Sequence, residues 1–276
     1  MRMTGALMVL ALGATAPGLA GAEEAATAAA GDVSAREVVQ QCNFKYPGED
    51  QQTRLSITLR DKDGNEKKNV YRRYWKDYKG NGDIADKMLL VTEFPPDAKG
   101  SVFMRWGYSS DGKNADQWVY LPVLKKTRRV SVRDPGESFL GSDLTHADIS
   151  GRGLDEDNHT LVKTEQRGEE TMYIVESVPR DASNALYSKV LSLFVKPGAD
   201  WADCSKRQVE YFDRRGEPLK QQVITWQRSG DAWLWDEMTV RNTQTEHTSI
   251  FQVTDVETNV GLKDDVFTER NLTKGH

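Results

Sequence analysis

The feature that most constrains this chain is a two-residue alternation of apolar and polar side chains that begins at Leu55 and recurs almost to the C-terminus. Leu55, Ile57 and Leu59 alternate with polar residues, which is the period of a strand with one buried face. An Asp-Gly-Asn turn at 63–65 follows, and 70–76 then forms the second arm of a hairpin. The pattern therefore predicts antiparallel β structure.

The same pattern repeats along the rest of the chain, with glycine-containing turns at 111–112, 167–169, 215–217 and 229–231. Further strands are predicted at 88–94, 101–108, 117–121, 127–132, 161–166, 171–178, 186–195, 205–212, 219–227, 232–241 and 248–256. Helices are predicted at 34–44 and near 143–149. About a dozen strands at hairpin spacing favour a mainly β fold, an antiparallel incomplete barrel with a few covering helices.

Two of the predicted strands are apolar on both faces. The segments 190–195 and 232–235 carry hydrophobic residues at adjacent positions, as expected when one face meets a covering element and the other lines an interior. The pattern leaves open whether that interior is packed or holds a ligand cavity.

The N-terminus has the features of a secretory signal peptide. Arg2 precedes an apolar run at 5–12 that is too short to span a bilayer, and Ala-Gly-Ala at 20–22 is a small-residue cleavage site. The alternative, a buried helix, would be interrupted by Gly13 and Pro17. We predict cleavage before residue 23, a flexible leader at 23–31 and one domain over 32–276.

Composition excludes two broad classes of protein. A mean hydropathy of -0.65 does not suit a chain that crosses the bilayer many times. A formal net charge of -5 gives no electrostatic footprint for nucleic acid. We therefore expect a water-soluble globular chain whose partners are not nucleic acids.

Two cysteines, Cys42 and Cys204, follow the predicted cleavage site. In an oxidising compartment such a pair favours a structural disulfide, with two buried thiols as the alternative. The chain has no CxxC or HExxH spacing, so no zinc site is predicted. The histidines are scattered and are expected to be surface or hydrogen-bonding residues: His146, His159, His247 and His276.

No motif predicts catalysis or a cofactor. The segment 61–65 resembles the start of a calcium loop, but its glycine is fourth instead of sixth and Arg72 stands at position twelve. The segment 136–141 misses the GxSxG spacing by one residue. Asp143 and Asp148 could be proposed as an acid/base pair, but helix capping by Asp143 is the simpler role. We expect that the protein is not an enzyme.

One dense basic cluster stands out in this acidic chain. It follows Gln-Trp-Val-Tyr-Leu-Pro at 117–122, so charge and aromatic surface are adjacent. It is either a solvated hairpin face or a docking patch for an acidic partner or anionic lipid headgroups. Its residues are Lys125, Lys126, Arg128, Arg129 and Arg133.

These segments carry a resemblance to a known family. The residues at 117–122, 128–131 and 138–144 resemble the LolA-like family of outer membrane lipoprotein-sorting proteins, and shorter matches at 94–100, 187–189, 211–213 and 266–268 extend the resemblance over most of the chain. It implies a periplasmic protein of a Gram-negative bacterium, with an incomplete antiparallel β-barrel wrapped over helices and an apolar cavity. It also implies a carrier of acylated lipoproteins or lipids and a partnership with an RND-type transporter of the inner membrane.

The resemblance does not specify which residues would bind a lipid. From the apolar pattern we predict a cavity lining of Phe103, Trp106, Trp118, Tyr120, Leu193, Trp226 and Trp233, with core packing as the alternative for each. We expect a monomer that contacts membranes transiently and delivers cargo to an outer-membrane acceptor. Two other functions remain open: an envelope adaptor with a filled barrel, and an unrecognised envelope hydrolase.

Overall fold

A computed structural model describes residues 33–110, 113–130 and 134–273. Its thirteen strands form one antiparallel sheet in the order β6-β5-β4-β3-β2-β1-β13-β12-β11-β10-β9-β8-β7. β6 and β7 are the two edges, so the sheet is an open barrel, and the fold predicted from the sequence is confirmed. The strands are β1 Asp50–Arg60, β2 Glu66–Asp77, β3 Ile84–Phe94, β4 Val102–Tyr108, β5 Asp116–Leu121, β6 Lys126–Val130, β7 Asp157–Arg167, β8 Glu170–Pro179, β9 Lys189–Lys196, β10 Ser205–Phe212, β11 Pro218–Ser229, β12 Ala232–Asn242 and β13 Thr248–Thr258.

Each predicted strand falls on one of these, and most extend further than the pattern indicated. The backbone register continues beyond the clear alternation, as in β7, which begins at Asp157 rather than at 161. β9 instead begins at Lys189, three residues after the predicted start, because Tyr187 lies outside the strand and donates a hydrogen bond to Asp148. Part of the predicted strand 127–132, together with the predicted signal peptide and leader, lies outside the described residues.

The first helix, α1 (Ala35–Asn43), is capped at its N-terminus by Ser34, whose hydroxyl accepts from the Glu37 backbone N–H at 3.2 Å. Val38, Val39 and Cys42 are buried at helical spacing against β7 to β10. Cys42 is disulfide-bonded to Cys204, which confirms the predicted pair. No helix in the described ranges is long and apolar enough to cross a membrane.

The second helix, α2 (His146–Ser150), belongs to a segment at 134–151 that covers one face of the sheet. Thr145 caps this helix through a reciprocal pair of hydrogen bonds with Asp148. The prediction that Asp143 is the cap was wrong: its Oδ2 accepts from the Ser249 hydroxyl at 2.6 Å and lies 2.7 Å from His247 Nδ1. Asp143 therefore fastens the covering segment to β13.

Both faces of the central sheet are apolar, and each has its own cover. On the concave face Leu90 and Met238 belong to a core that includes Phe139 and Leu144 of the covering segment. On the convex face Leu89 packs with other apolar side chains against C-terminal turns that contribute Phe267 and Leu272. Neighbouring residues of one strand therefore enter different cores, because successive side chains point to opposite faces.

Candidate functional site

A cavity of about 340 Å³ lies between the concave face of the sheet and its covering segments. This volume lies within the range of roughly 300–1,000 Å³ that is typical of small-molecule sites. β1 to β4 and β11 to β13 supply one wall, and residues near the end of α1 and within 134–151 supply the rest. Its apolar lining is Leu55, Trp75, Met88, Phe139, Ile149, Trp226, Trp233, Leu234, Trp235, Phe251 and Val253.

A group of tryptophans on β11 and β12 forms one side of the cavity. A register shift beyond Ile224 brings Trp226 opposite Trp235, so that both line the cavity. Trp226 and Trp233 meet edge to face with ring centroids 6.2 Å apart. The indole N–H of Trp226 donates to the Lys206 carbonyl oxygen at 2.7 Å, which leaves its apolar surface for the cavity.

Phe139 closes the opposite side from the covering segment. Its ring packs edge-on against Phe103 at 5.8 Å and against His146 at 5.7 Å. Leu140 and Gly141 follow with positive φ angles of 53° and 77°. This turn, which suits glycine at its second position, reverses the chain and keeps Phe139 directed at the sheet.

One end of the cavity is charged. The Arg105 side chain, which is 7% exposed, pairs with Asp86 at 2.8 Å and also donates to the Ser150 hydroxyl at 3.1 Å. An ideal Cβ at Gly107 would lie 2.6 Å from Asp86 Oδ2 and 2.8 Å from Arg105 Nη1. Glycine at this position therefore leaves the space that the ion pair occupies.

Arg73 is the second guanidinium at this end of the cavity. Its Nη1 donates to Gln51 Oε1 at 2.5 Å, and Gln51 Nε2 in turn donates to the Pro47 carbonyl oxygen at 2.6 Å. Burial lowers the pKa of Arg73 to about 10, with partial compensation from Asp86. The guanidinium remains protonated at neutral pH.

The structure separates the residues predicted to line the cavity. Trp226 and Trp233 line it, and Phe103 packs against the same core behind Phe139. The other predicted residues are Trp106, Trp118, Tyr120 and Leu193. The first three of these pack on the convex face, and Leu193, which pairs with Ile174, is outside the cavity lining. Lipid binding by any of the seven stays a prediction.

Sequence reasoning missed Arg73, Trp75, Asp86, Arg105 and Trp235. A signal for two of them was available, because Arg73 and Trp75 continue the two-residue phase of Tyr71, whose hairpin partner is the apolar Leu55. The predicted lining was chosen by aromatic character, and the strand alternation was not used to select residues that share a face with the hairpin core.

The basic cluster lies at an edge of the sheet, on the β5–β6 hairpin. Arg129 pairs with Asp116, and its guanidinium carbon lies 5.8 Å from the Trp118 ring centroid. At the hairpin tip Val123 is 86% exposed and Leu124 is 51% exposed, beside Lys125. Lys126 and Arg128 are exposed on β6, whereas Arg133 lies outside the described residues. The tip thus combines free apolar side chains with cations.

The remaining polar candidates form hydrogen bonds. His146 lies 3.1 Å from the Gln117 side-chain amide, and His159 contacts the Ser177 hydroxyl at 2.9 Å. Asp61 caps its own turn through Asn65. Within the described ranges no group of three or more His, Cys, Asp or Glu side chains could hold a metal ion. The charged end of the cavity is therefore the main polar feature of the site.

A family model described as an uncharacterized protein matches residues 85–274. No curated protein matches the sequence.

Solved structures of similar fold include three from different bacteria. One, described as an outer membrane lipoprotein-sorting protein domain from Vibrio parahaemolyticus, is 24% identical, with 87% of this chain and 98% of that chain covered and a TM-score of 0.73. A DUF1329 family protein from Desulfovibrio piger is 22% identical, with 86% and 95% covered and a TM-score of 0.72. A LolA superfamily protein from Nitrosomonas europaea is 16% identical, with 86% and 99% covered and a TM-score of 0.62. The resemblance to LolA-like proteins is confirmed at the level of the fold.

Proposed function

Because this chain belongs to the family whose model matches residues 85–274 and has a LolA-like fold, we propose that it is a periplasmic carrier of acyl chains. In this proposal the cavity shields the acyl chain of a lipid or acylated lipoprotein from water during transfer toward the outer membrane. Each methylene that leaves water contributes about 0.8 kcal/mol. The proposal includes no chemical step.

The observation that carries the proposal is the cavity between the sheet and its covering segments. An adaptor with a filled barrel would pack this volume, whereas here aromatic and aliphatic side chains surround about 340 Å³. The Trp226 indole N–H already has a partner, so the aromatic wall can accept hydrocarbon without leaving that donor unsatisfied. These features favour the carrier over the adaptor.

We also propose how cargo enters and leaves the cavity. The hairpin tip formed by Val123, Leu124 and Lys125 would dock on a membrane, with its apolar side chains inserted and the basic cluster near anionic headgroups. An RND-type inner-membrane transporter is the partner that would supply cargo, and an outer-membrane acceptor would receive it. The resemblance to LolA-like proteins supports both partners.

Native mass spectrometry of the protein purified from a bacterial periplasm tests the proposal. We expect bound mass that denaturation releases and that lipid analysis identifies as acyl lipid or acylated peptide. Val253→Phe, which enlarges a cavity-lining side chain that is 7% exposed, should abolish that mass. Val223→Phe is the matched control, because Val223 is 42% exposed on β11. Protein without bound mass that also refuses fluorescent fatty-acid probes would contradict the carrier and favour the adaptor.

A further inference from the structure

The charged end of the cavity has more positive than negative charge. Arg73 and Arg105 face a single carboxylate, Asp86, and Arg105 already pairs with it. The other polar residues of the lining are Asn43, Gln51 and Lys45, of which Lys45 donates to the Ala202 carbonyl oxygen at 3.0 Å. The lining thus carries three cations against one carboxylate, but Lys45 lies apart from the two guanidiniums, on the carbonyl oxygens of Trp201 and Ala202. Beside Asp86, two guanidiniums face one carboxylate, so one positive charge there is not balanced by the lining.

Arg73 is the unbalanced group. In the part of the chain that the structure describes, its guanidinium has one hydrogen-bond acceptor, Gln51 Oε1, and no carboxylate within ion-pair distance. A guanidinium carries five N–H donors in a planar fork that matches the two oxygens of a carboxylate or phosphate. A charge removed from water is costly unless a counter-charge meets it. The remaining N–H donors of Arg73 are therefore available to an anion that enters the cavity.

The surrounding residues hold the site in place. Gln51 is fixed by its bond to the Pro47 carbonyl oxygen, and Arg105 is held by Asp86 and Ser150 in the space beside Gly107. The tryptophans and Met88 line the same cavity, and the Arg73 guanidinium carbon lies 6.0 Å from the centroid of the Trp75 ring. A ligand that satisfies both parts of the cavity has an anionic group joined to a hydrocarbon chain.

We propose that the ligand of this cavity is an anionic single-chain amphiphile, whose carboxylate or phosphate pairs with Arg73 while its chain lies among the tryptophans. The inference rests on the proposed carrier function and narrows its cargo. A neutral acyl chain of equal length would fill the apolar part and leave Arg73 without a counter-charge. The cavity should therefore discriminate by headgroup charge.

The test compares dodecanoate, dodecyl phosphate and dodecan-1-ol as ligands, with intrinsic tryptophan fluorescence as the readout because four tryptophans line the cavity. We expect the full-length protein to bind an anionic probe at least about tenfold more tightly than the alcohol, or about 1.4 kcal/mol. Whichever anionic probe binds more tightly identifies the headgroup. Equal affinity for the anionic and neutral probes would overturn the inference but leave the carrier standing. Failure to bind any of the three would overturn both.

Variants separate the charge from the fold. Arg73→Met should reduce affinity for the preferred anionic probe about tenfold and leave affinity for dodecan-1-ol within about twofold. Arg72→Met is the matched control, since Arg72 points to the other face of the same strand and pairs with Glu93. Asp86→Asn, which adds to the positive charge, should tighten binding of the anionic probe and tests the inference even if Arg73→Met does not fold. A charge preference that survives Arg73→Met, or one unaffected by Asp86→Asn, would overturn the inference.

Discussion

Lys220 Nζ lies 2.5 Å from Asp148 Oδ2, and both side chains are almost fully buried. This ion pair joins β11 to α2, the helix of the segment that covers the cavity. The Tyr187 hydroxyl donates to the same carboxylate at 2.9 Å, and Lys220 also donates to the Asp143 carbonyl oxygen at 2.9 Å. The position of the cover over the cavity thus depends on a buried polar network.

Removing one partner of this pair should destabilise the protein strongly. We expect Lys220→Met to lower the free energy of unfolding by about 3–5 kcal/mol, because Asp148 would stay buried without its counter-charge. Urea denaturation measures the change. The control is Lys189→Met, which breaks a more exposed pair with Glu176 and should cost less than about 1 kcal/mol. Similar losses in the two variants would contradict the role assigned to Lys220.

The disulfide should be a major source of stability, because it closes a loop of 162 residues between α1 and the start of β10. Its loss in a Cys42→Ala, Cys204→Ala double variant should lower the free energy of unfolding by about 4–5 kcal/mol, chiefly through the greater freedom of the unfolded chain. Denaturant midpoints with and without reductant measure this effect. Reductant should shift the midpoint of the wild type and leave that of the double variant unchanged; a wild-type midpoint that does not move would refute the prediction.

Stability should fall in mild acid because of His146. Burial lowers the pKa of this imidazole below its ordinary value of about 6.5, with Arg105 acting in the same direction and Glu137 opposing it. The unfolded chain therefore binds more protons than the folded chain once the pH falls through about 6.5, so acid favours unfolding.

We expect the free energy of unfolding to decrease between about pH 7.5 and about pH 5.5, and less so in His146→Gln. Glutamine keeps a polar side chain beside Gln117, the present partner of His146. Chemical denaturation at several pH values measures both curves. Identical pH dependence in the wild type and the variant would rule out a contribution from His146.

Membrane docking should depend on the hairpin tip. Replacing Val123 and Leu124 by aspartate should weaken binding to vesicles of phosphatidylethanolamine and phosphatidylglycerol about tenfold, because it removes inserted apolar surface and adds like charge to the headgroups. Added salt should weaken wild-type binding, as expected when lysines and arginines contribute. Co-sedimentation measures both effects. The control is Val162→Asp, because Val162 is 56% exposed on the opposite edge strand β7. An equal loss of vesicle binding in this control would show that the hairpin tip is not the docking site. Binding of an acidic protein without binding of vesicles would favour an acidic protein partner for the basic cluster.

The strands and their order along the chain could be predicted because their signal is local. In β1 the alternation around Leu55 and Ile57 predicts which residues share a face, and the turn residues at 63–65 predict where the chain reverses. The pairing of β1 with β13, which joins the first strand to the last, brings Leu55 opposite Val253. Nothing in either segment alone specifies that partner.

The lining of the cavity likewise could not be predicted from any one segment, because it combines residues that are far apart in the chain. Trp118 and Trp226 both lie in strands of the same sheet, yet the first packs under C-terminal turns and the second lines the cavity. The unbalanced charge of Arg73 likewise arises where β1 to β4 come together, because its neighbours Gln51, Asp86 and Arg105 lie on the other strands. By itself the sequence determined the strand pattern and supplied the two cysteines of the disulfide, since alternation and turns depend on neighbouring residues. Only the tertiary structure decided which face is concave and what covers it, because curvature and burial arise from contacts between segments far apart in the chain.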